Sequence, residues 1–274
     1  MKIFLSILLF MSLCFGDNFR DGLDAMNTKN YQKAYKIFKS LAEQGNAFAQ
    51  TNLGLLYEFG NGTEQNCSEA MRLFKLAADK GFAGAQYETG NMYAFGRCAK
   101  QDHAEAVKWF RLSAEKGNYE AQYNLGVAYQ KGRGVPQDPK EAIKWFKLSA
   151  NQGFSEAQYN LGMMYIYGQG VAQDHSKAFK LFNLAANQGV LDAQYNLGTM
   201  YFFGKGVNVN YEKAAKFWRF AANRGHHVAQ FNLGMMYMYG KGVKQDNNEG
   251  IRLIKMSAKQ GNANAQKILD TMQK

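Results

Sequence analysis

The chain contains a 36-residue internal repeat, and this period restricts its fold more than any other feature of the sequence. The dipeptide Ala-Gln occurs seven times at an unbroken spacing of 36, beginning at residues 49, 85, 121, 157, 193, 229 and 265. A tyrosine recurs in a further column from Tyr57 to Tyr237. Periods of about 20–50 residues are typical of repeat architectures, in which each unit buries its apolar face against its neighbours.

Each unit is predicted to form two helices. The first, for example residues 155–167, carries Ala157, Leu161 and Tyr165 at helical spacing, which gives one apolar face. Gly162 lies inside this helix, where glycine costs about 1 kcal/mol relative to alanine. Because this glycine recurs in six units, we expect a neighbouring helix to approach closely at that point.

The second helix of each unit is expected to begin at an Asp or Asn N-cap and to end at a glycine. Glutamate three residues after the cap in four units predicts a capping box at Glu69, Glu105, Glu141 and Glu249. The N-caps are Asn66, Asp102, Asp138, Asp174, Asn210 and Asp246. The resulting domain, residues 17–274, holds about seven helix pairs and a C-terminal capping helix.

Residues 1–16 have the layout of a cleaved signal peptide. Lys2 provides the positive end, residues 3–13 are apolar, and small residues at Cys14 and Gly16 precede Asp17. The apolar stretch is too short to span a bilayer. We therefore expect an exported protein, either periplasmic or secreted, and export disfavours nucleic acid as the partner of this basic chain, whose net charge is +11.

Three consecutive motifs carry a family resemblance. Ala-Gln-x-x-Leu-Gly-x-x-Tyr, Gly-x-Gly-Val-x-x-Asp and Ala-x-x-Trp-Phe-x-x-Ser/Ala-Ala-x-x-Gly resemble the Sel-one-like repeat (SLR) family, relatives of tetratricopeptide proteins, over about residues 19–272. The resemblance implies an all-α fold, a right-handed α-solenoid of antiparallel helix pairs with a concave groove. It also implies a scaffold or adaptor that binds a protein or peptide and needs no cofactor or metal.

By resemblance to tetratricopeptide solenoids, the first helices line this groove. An asparagine amide can pair with both the C=O and the N–H of a bound peptide, and aromatic rings can contact its side chains. The alternative is that the tyrosines pack between repeats and the asparagines satisfy neighbouring backbone. The predicted groove residues are Asn52, Asn124, Asn160, Asn196, Asn232, Tyr87, Tyr123, Tyr159, Tyr195 and Phe231. A third column near the helix end, broken by Lys131, holds Phe59, Phe95, Tyr167, Phe203 and Tyr239.

The second helices carry a column of basic residues on the face opposite their apolar side. We name this set the basic ladder: Lys36, Arg72, Lys108, Lys144, Lys180, Lys216 and Arg252, with Lys39, Lys75, Arg111, Lys147, Arg219 and Lys255 three residues later. It is expected on the convex side, either as a solvated face paired to acidic residues such as Glu43 at i+4 or as a weak contact for anionic surfaces.

Cys67 and Cys98 are predicted to lie at the same end of the helix stack, because the two intervening helices run out and back. In an exported chain such a pair favours a disulfide over two free thiols. An SLR subgroup with one cysteine pair per repeat has been linked to β-lactam binding and hydrolysis, so a β-lactamase-like hydrolase is the alternative function.

The residues offer little for catalysis. Ser113 and Lys116 form a Ser-x-x-Lys sequence, but at a helix C-terminus and in ordinary repeat columns, so no catalytic residue is predicted. His103 and His175 start helices two repeats apart, and His226 lies in a turn beside His227. No metal site is therefore predicted.

Overall fold

A computed structural model of the chain describes residues 18–272, so the predicted signal peptide at residues 1–16 lies outside the described range. Within that range the regular structure is entirely helical, which confirms the all-α fold of helix pairs. The helices fall into two compact units, which meet in sequence between Asp138 and Pro139. No helix among these residues combines the length and apolarity that a bilayer span requires.

The first unit contains seven helices, each packed against its neighbours in the chain. They are α1 (18–27), α2 (Tyr31–Glu43), α3 (Ala47–Phe59), α4 (Cys67–Asp79), α5 (Ala83–Phe95), α6 (His103–Glu115) and α7 (Tyr119–Lys131). The core lies between successive helices, where Phe38, Leu56, Phe74 and Met92 are fully buried. The neighbouring first helices α3 and α5 also contact each other.

The second unit contains eight helices with the same neighbour-to-neighbour packing. They are α8 (Pro139–Asn151), α9 (Ser155–Tyr167), α10 (His175–Asn187), α11 (Leu191–Phe203), α12 (Tyr211–Asn223), α13 (His227–Tyr239), α14 (Asn247–Lys259) and α15 (Ala263–Met272). Its core includes Phe146, Phe182, Trp218 and Ile254. The lone α15 packs on α14 and buries only Ala265.

Five of the glycines within the first helices lie where a neighbouring helix approaches closely, as predicted. A Cβ atom on Gly162 would lie 2.7 Å from a ring carbon of the fully buried Phe182, well inside van der Waals contact. Gly54 and Gly90 meet Phe74 and Phe110 in the same way. Gly22 of α1 meets Phe38 at the same close distance, although it stands outside the 36-residue register.

The helix starts are capped as predicted, but the capping box is only half formed. The Asn66 side chain accepts from the Glu69 N–H at 3.0 Å, and Asp102 and Asp246 cap their helices in the same manner. The Glu69 carboxylate does not return to the cap; it accepts from the Arg72 guanidinium instead. The backbone N–H of Asn66 donates to the Tyr57 carbonyl at 2.9 Å, and the other caps repeat this bond. The predicted reciprocal bond from glutamate is therefore wrong, because that N–H already has a partner.

Candidate functional site

Each first helix from α3 to α13, except α7, ends in an aromatic side chain that remains largely in solvent. The helix stops there because the next residue is a left-handed glycine; Gly60, for example, has φ 68° and donates its N–H to Leu56 O. We name these residues the aromatic row: in the first unit Phe59 (55% exposed) and Phe95 (65%), and in the second Tyr167 (65%), Phe203 (61%) and Tyr239 (74%). Large rings this exposed bury little of their own area in the fold and remain free for a partner.

The predicted tyrosine column lies about two helical turns before the aromatic row and is half-buried. The Tyr87 ring packs 6.1 Å from Phe110 and the Tyr159 ring 5.7 Å from Phe182, measured between centroids. Burial raises the pKa of both phenols. Tyr195 instead stacks on His226 at 4.4 Å. These rings have the inter-helix packing role given as the alternative, and a groove role for their open edges stays a prediction.

The asparagine column is also half-buried, and its amides differ in their partners. Asn52 donates to the Phe48 carbonyl within its own helix at 2.8 Å. Asn124 donates to the Asn91 side chain at 3.5 Å, and Asn196 lies 3.6 Å from the Met163 sulfur. The first of these two contacts is long and the second is to a weakly accepting thioether, so both amides can exchange them for a stronger acceptor.

Asn232 lines a small cavity of about 150 Å³ in the second unit. Its walls are apolar and aromatic, from Phe203, Met235 and Tyr239, and the Lys241 amine lies at the edge. A cavity of this kind accepts one side chain of a partner. It connects the asparagine column with the aromatic row within the second unit.

The first unit holds a larger and more polar cavity, in which the predicted groove residues Tyr87, Asn124, Phe59 and Phe95 meet charged residues that the sequence patterns did not single out. We name it the acidic pocket; it measures about 630 Å³ and is lined by Tyr87, Glu88, Asn91, Arg97, Glu120 and Asn124, with Phe59, Phe95 and Leu55 as apolar walls. A signal was present in the sequence, since Glu88 replaces the asparagine found in this column in the neighbouring units.

Arg97 stands at the wall of the acidic pocket and pairs with a buried carboxylate. Its Nη1 lies 3.1 Å from Oε1 of Glu58, whose side chain is 3% exposed. The guanidinium carbon lies 5.9 Å from the Phe59 ring centre and 5.7 Å from that of Phe95, within cation–π range. Burial raises the pKa of the Glu58 carboxyl, and the charge of Arg97 partly offsets this.

The disulfide lies directly beside this arginine. Cys98 occupies a left-handed loop position (φ 57°) that is glycine in other repeats, such as Gly134 at φ 74°. A Cβ on Gly134 would meet the backbone of His103, the first residue of a second helix. Cys67 is the equivalent first residue of α4, and its sulfur is bonded to that of Cys98 at 2.03 Å. The predicted bridge is therefore present, and it ties the loop that carries Arg97 to α4.

The basic ladder is exposed, but its ion pairs differ from the expected ones. Arg72, Lys108 and Arg252 pair with the glutamate three residues earlier, at 2.5, 2.7 and 2.6 Å. The predicted i+4 partners, such as Glu43, form no ion pair with the ladder among residues 18–272. The glutamate at i−3 is available to the basic residue because its carboxylate makes no hydrogen bond to the N-cap N–H.

The candidate catalytic and metal-binding side chains have structural roles. Ser113 Oγ donates to the Ala83 carbonyl at 2.7 Å, and Lys116 Nζ donates to the Gly81 carbonyl at 2.6 Å. His226 Nδ1 accepts from the Ala229 N–H at 3.1 Å and so caps α13. The residues from 18 to 272 contain no group of three His, Cys, Asp or Glu side chains placed to hold a metal ion.

The fold and these surfaces together define a class, a scaffold built from stacked helix pairs. The chain belongs to the Sel1 repeat family, whose repeat matches residues 18–46, 47–82, 83–118, 120–154, 155–190, 191–226 and 227–262. Proteins of this family are typically scaffolds for protein–protein interaction and are generally non-catalytic.

Two solved structures show the same fold at substantial identity. One is c5321, a protective antigen present in uropathogenic Escherichia coli strains, which displays an SLR fold; it is 40% identical, with a TM-score of 0.82 over 85% of this chain. The chain spans about half the length (50%) of c5321. The other is a Sel1 repeat protein from Oxalobacter formigenes, 33% identical, with a TM-score of 0.74 over 88% of this chain and 70% of that one. No curated protein matches the chain.

Proposed function

We propose that this protein is a non-catalytic scaffold that binds a protein or peptide along its first helices. The observation that carries the proposal is the aromatic row, whose five rings are 55–74% exposed at equivalent positions of five repeats, with Lys131 at the sixth. Aromatic side chains supply large contact area at low conformational cost, which makes them frequent anchors of interfaces. Phe59 and Phe95 also contact the Arg97 guanidinium, and Phe203 contacts Phe202, but all five rings keep more than half of their surface in solvent.

The asparagine column supports the same surface. Its amides lie about two helical turns from the row, and the present contacts of Asn124 and Asn196 are weak, since the first is long and the second is to a thioether sulfur. Both can exchange these contacts for the carbonyl or N–H of an extended chain. The small cavity beside Asn232 and Tyr239 would then receive one side chain of the bound segment.

We also propose that the protein is exported, either to the periplasm or beyond the cell. The signal-like residues 1–16 and the bridge between Cys67 and Cys98 support this, because disulfides persist in oxidising compartments. The hydrolase alternative gains no support from Ser113 and Lys116, since both already donate to backbone carbonyls.

The experiment is a selection of displayed random peptides on residues 17–274, followed by calorimetric affinities for the selected peptides. Phe203→Ala and Tyr239→Ala are each expected to weaken binding by about 1–2 kcal/mol, as truncated interface anchors do. Their thermal stability should hardly change, because both rings are mostly in solvent.

Phe220→Ala is the matched control. This ring is 50% exposed but stands on the second helix α12, outside the aromatic row. Its truncation, and the charge reversal Lys180→Glu on the basic ladder, should leave the affinity unchanged. If these two changes weaken binding while Phe203→Ala does not, the second helices are the binding face. If no peptide is selected, peptide binding by the row is refuted.

A further inference from the structure

The acidic pocket in the first unit departs from the repeat at several positions at once. Glu88 stands at the position that Asn52 and Asn124 hold in the neighbouring repeats. Asn91 stands at the position that Leu55 holds in the preceding repeat. Glu58 replaces the alanine found at Ala94. The columns of Asn91 and Glu58 vary from repeat to repeat, with Thr199 in the first and Gln130 in the second, whereas the column of Glu88 is otherwise asparagine from α3 to α13, so Glu88 is the clearest departure.

The pocket carries more negative than positive charge. Arg97 is engaged by Glu58 at 3.1 Å and lies farther from Glu88, at 3.9 Å. Glu88 receives one hydrogen bond, from the Asn91 amide at 3.3 Å. Glu120 has neither an ion pair nor a hydrogen bond among the described residues. The cavity lining therefore holds one guanidinium and two carboxylates, and the guanidinium is already paired with Glu58, which is not part of the lining.

This arrangement is expensive unless a further cation completes it. The Glu58 carboxylate is almost fully buried, and neither of its oxygens accepts a hydrogen bond in the structure. Burial also raises the pKa of Glu88 and of Glu120, which means that their charged forms are poorly solvated. Poorly solvated carboxylates in a cavity are characteristic of sites that receive a ligand.

The walls of the pocket already accept a cation from the chain itself. The Arg97 guanidinium lies between the Phe59 and Phe95 rings, within 6 Å of both centroids. The remaining cavity, about 630 Å³, has room for a second long basic side chain, whose methylene groups would contact the rings. The protein as a whole has a charge of +11, so attraction of a cation to this spot must come from the pocket and not from the general field.

We propose that the acidic pocket binds a lysine or arginine side chain of the protein or peptide held along the first helices. The inference rests on the proposed binding function and adds its specificity. Glu88 and Glu120 pair with the ammonium or guanidinium group, Asn91 and Asn124 donate to neighbouring carbonyl groups, and the rings of Phe59 and Phe95 cover the aliphatic part. The bridge from Cys98 to Cys67 holds the Arg97 wall in place.

The direct test uses two small probes, Nα-acetyl-lysine methylamide and its uncharged norleucine analogue, titrated into isotope-labelled protein. The lysine probe is expected to shift the side-chain amide signals of Asn91 and Asn124, and the norleucine probe is not. Added salt should weaken the lysine probe on the unaltered protein, since the attraction is between charges. Equal shifts by both probes would overturn the proposal.

Variants locate the interaction. Glu88→Asn, which restores the residue of the neighbouring units, combined with Glu120→Gln should lower the affinity for the lysine probe about tenfold or more. Glu156→Gln is the matched control, because Glu156 holds the column of Glu120 in α9 and is exposed. A double variant that melts like the parent and binds the lysine probe equally well would refute the pocket.

Peptide selection separates this inference from the proposed function. Selected peptides rich in lysine or arginine, whose binding the double variant abolishes, would support both. Selected peptides without basic residues that still depend on Tyr239 would overturn the pocket and leave the scaffold function standing. A lysine probe that binds while no peptide is selected would support the pocket and refute peptide binding.

Discussion

Removal of Arg97 is the most informative perturbation of the fold, because it leaves the Glu58 carboxylate buried without the one ion-pair partner that it has among residues 18–272. Breaking a fully buried ion pair costs about 3–5 kcal/mol. Glu58 is 3% exposed but Arg97 is 36% exposed, so water can reach the vacated side and reduce the loss. Arg97→Ala should therefore lower the free energy of unfolding by about 2–3 kcal/mol at neutral pH.

The pH dependence identifies the cause. Burial raises the pKa of Glu58 in the folded protein above its unfolded value, and loss of Arg97 raises it further. The folded state then binds a proton more readily than the unfolded state, so stability is greatest at low pH and falls as pH rises through the raised pKa. Arg97→Ala should recover part of its lost stability at acidic pH. The double variant Arg97→Ala with Glu58→Met should recover most of the lost stability at every pH; methionine is chosen because Met238 stands in the column of Glu58.

Urea unfolding followed by circular dichroism in non-reducing buffer measures these differences. Arg133→Ala is the control, since Arg133 occupies the same column in the next unit and is exposed, and its loss should cost less than about 0.5 kcal/mol. If Arg97→Ala and Arg133→Ala lose the same small amount, and Glu58→Met brings no recovery, the buried pair is not what stabilises this part of the first unit.

Two other predictions concern His226 and the N-terminus. The neutral His226 ring caps α13 and faces Asp192, Tyr195 and His227. Burial lowers the pKa of His226. Its contribution to the stability of the fold is therefore complete above the ordinary histidine pKa and is lost as pH falls toward the lowered value. His226→Asn, a cap that does not titrate, should flatten the decline in melting temperature below about pH 6.5; an unchanged decline would contradict this origin. Intact-mass measurement of protein recovered outside the cytoplasm should place the mature N-terminus at or near Asp17, and retention of residues 1–16 would contradict export.

The sequence predicted those features that a fixed period imposes. The helix pairs, the close approach at Gly162 and the caps at Asn66 and its counterparts all follow from one register and one set of short-range rules. The placement of Cys67 and Cys98 at one end of the stack followed from the same register, and their bond is present. In each case the residues concerned recur, or the geometry between them is set by whole helices.

The features that escaped prediction depend on choices between partners. The Glu69 carboxylate can accept from either the backbone N–H of Asn66 or the Arg72 guanidinium. It accepts from Arg72, because the Asn66 N–H already donates to the Tyr57 carbonyl. The ion pair of Glu58 with Arg97 joins residues of two different 36-residue repeats, and no short-range spacing rule connects them. The break in the asparagine column at Glu88, together with Cys98 in place of the loop glycine, indicated that this repeat differs from the others.

The single covalent bridge also determines how the chain would respond to mechanical tension. Cys67 and Cys98 are 31 residues apart and enclose most of α4 and all of α5. When the chain is pulled from its two ends, the residues inside this closed loop cannot extend. The fully stretched chain is therefore shorter by roughly 100 Å, at about 3.3–3.6 Å per residue. Units outside the loop can lengthen fully under load, while the segment that carries Glu88 and one wall of the acidic pocket stays tethered at both ends until the bridge is reduced.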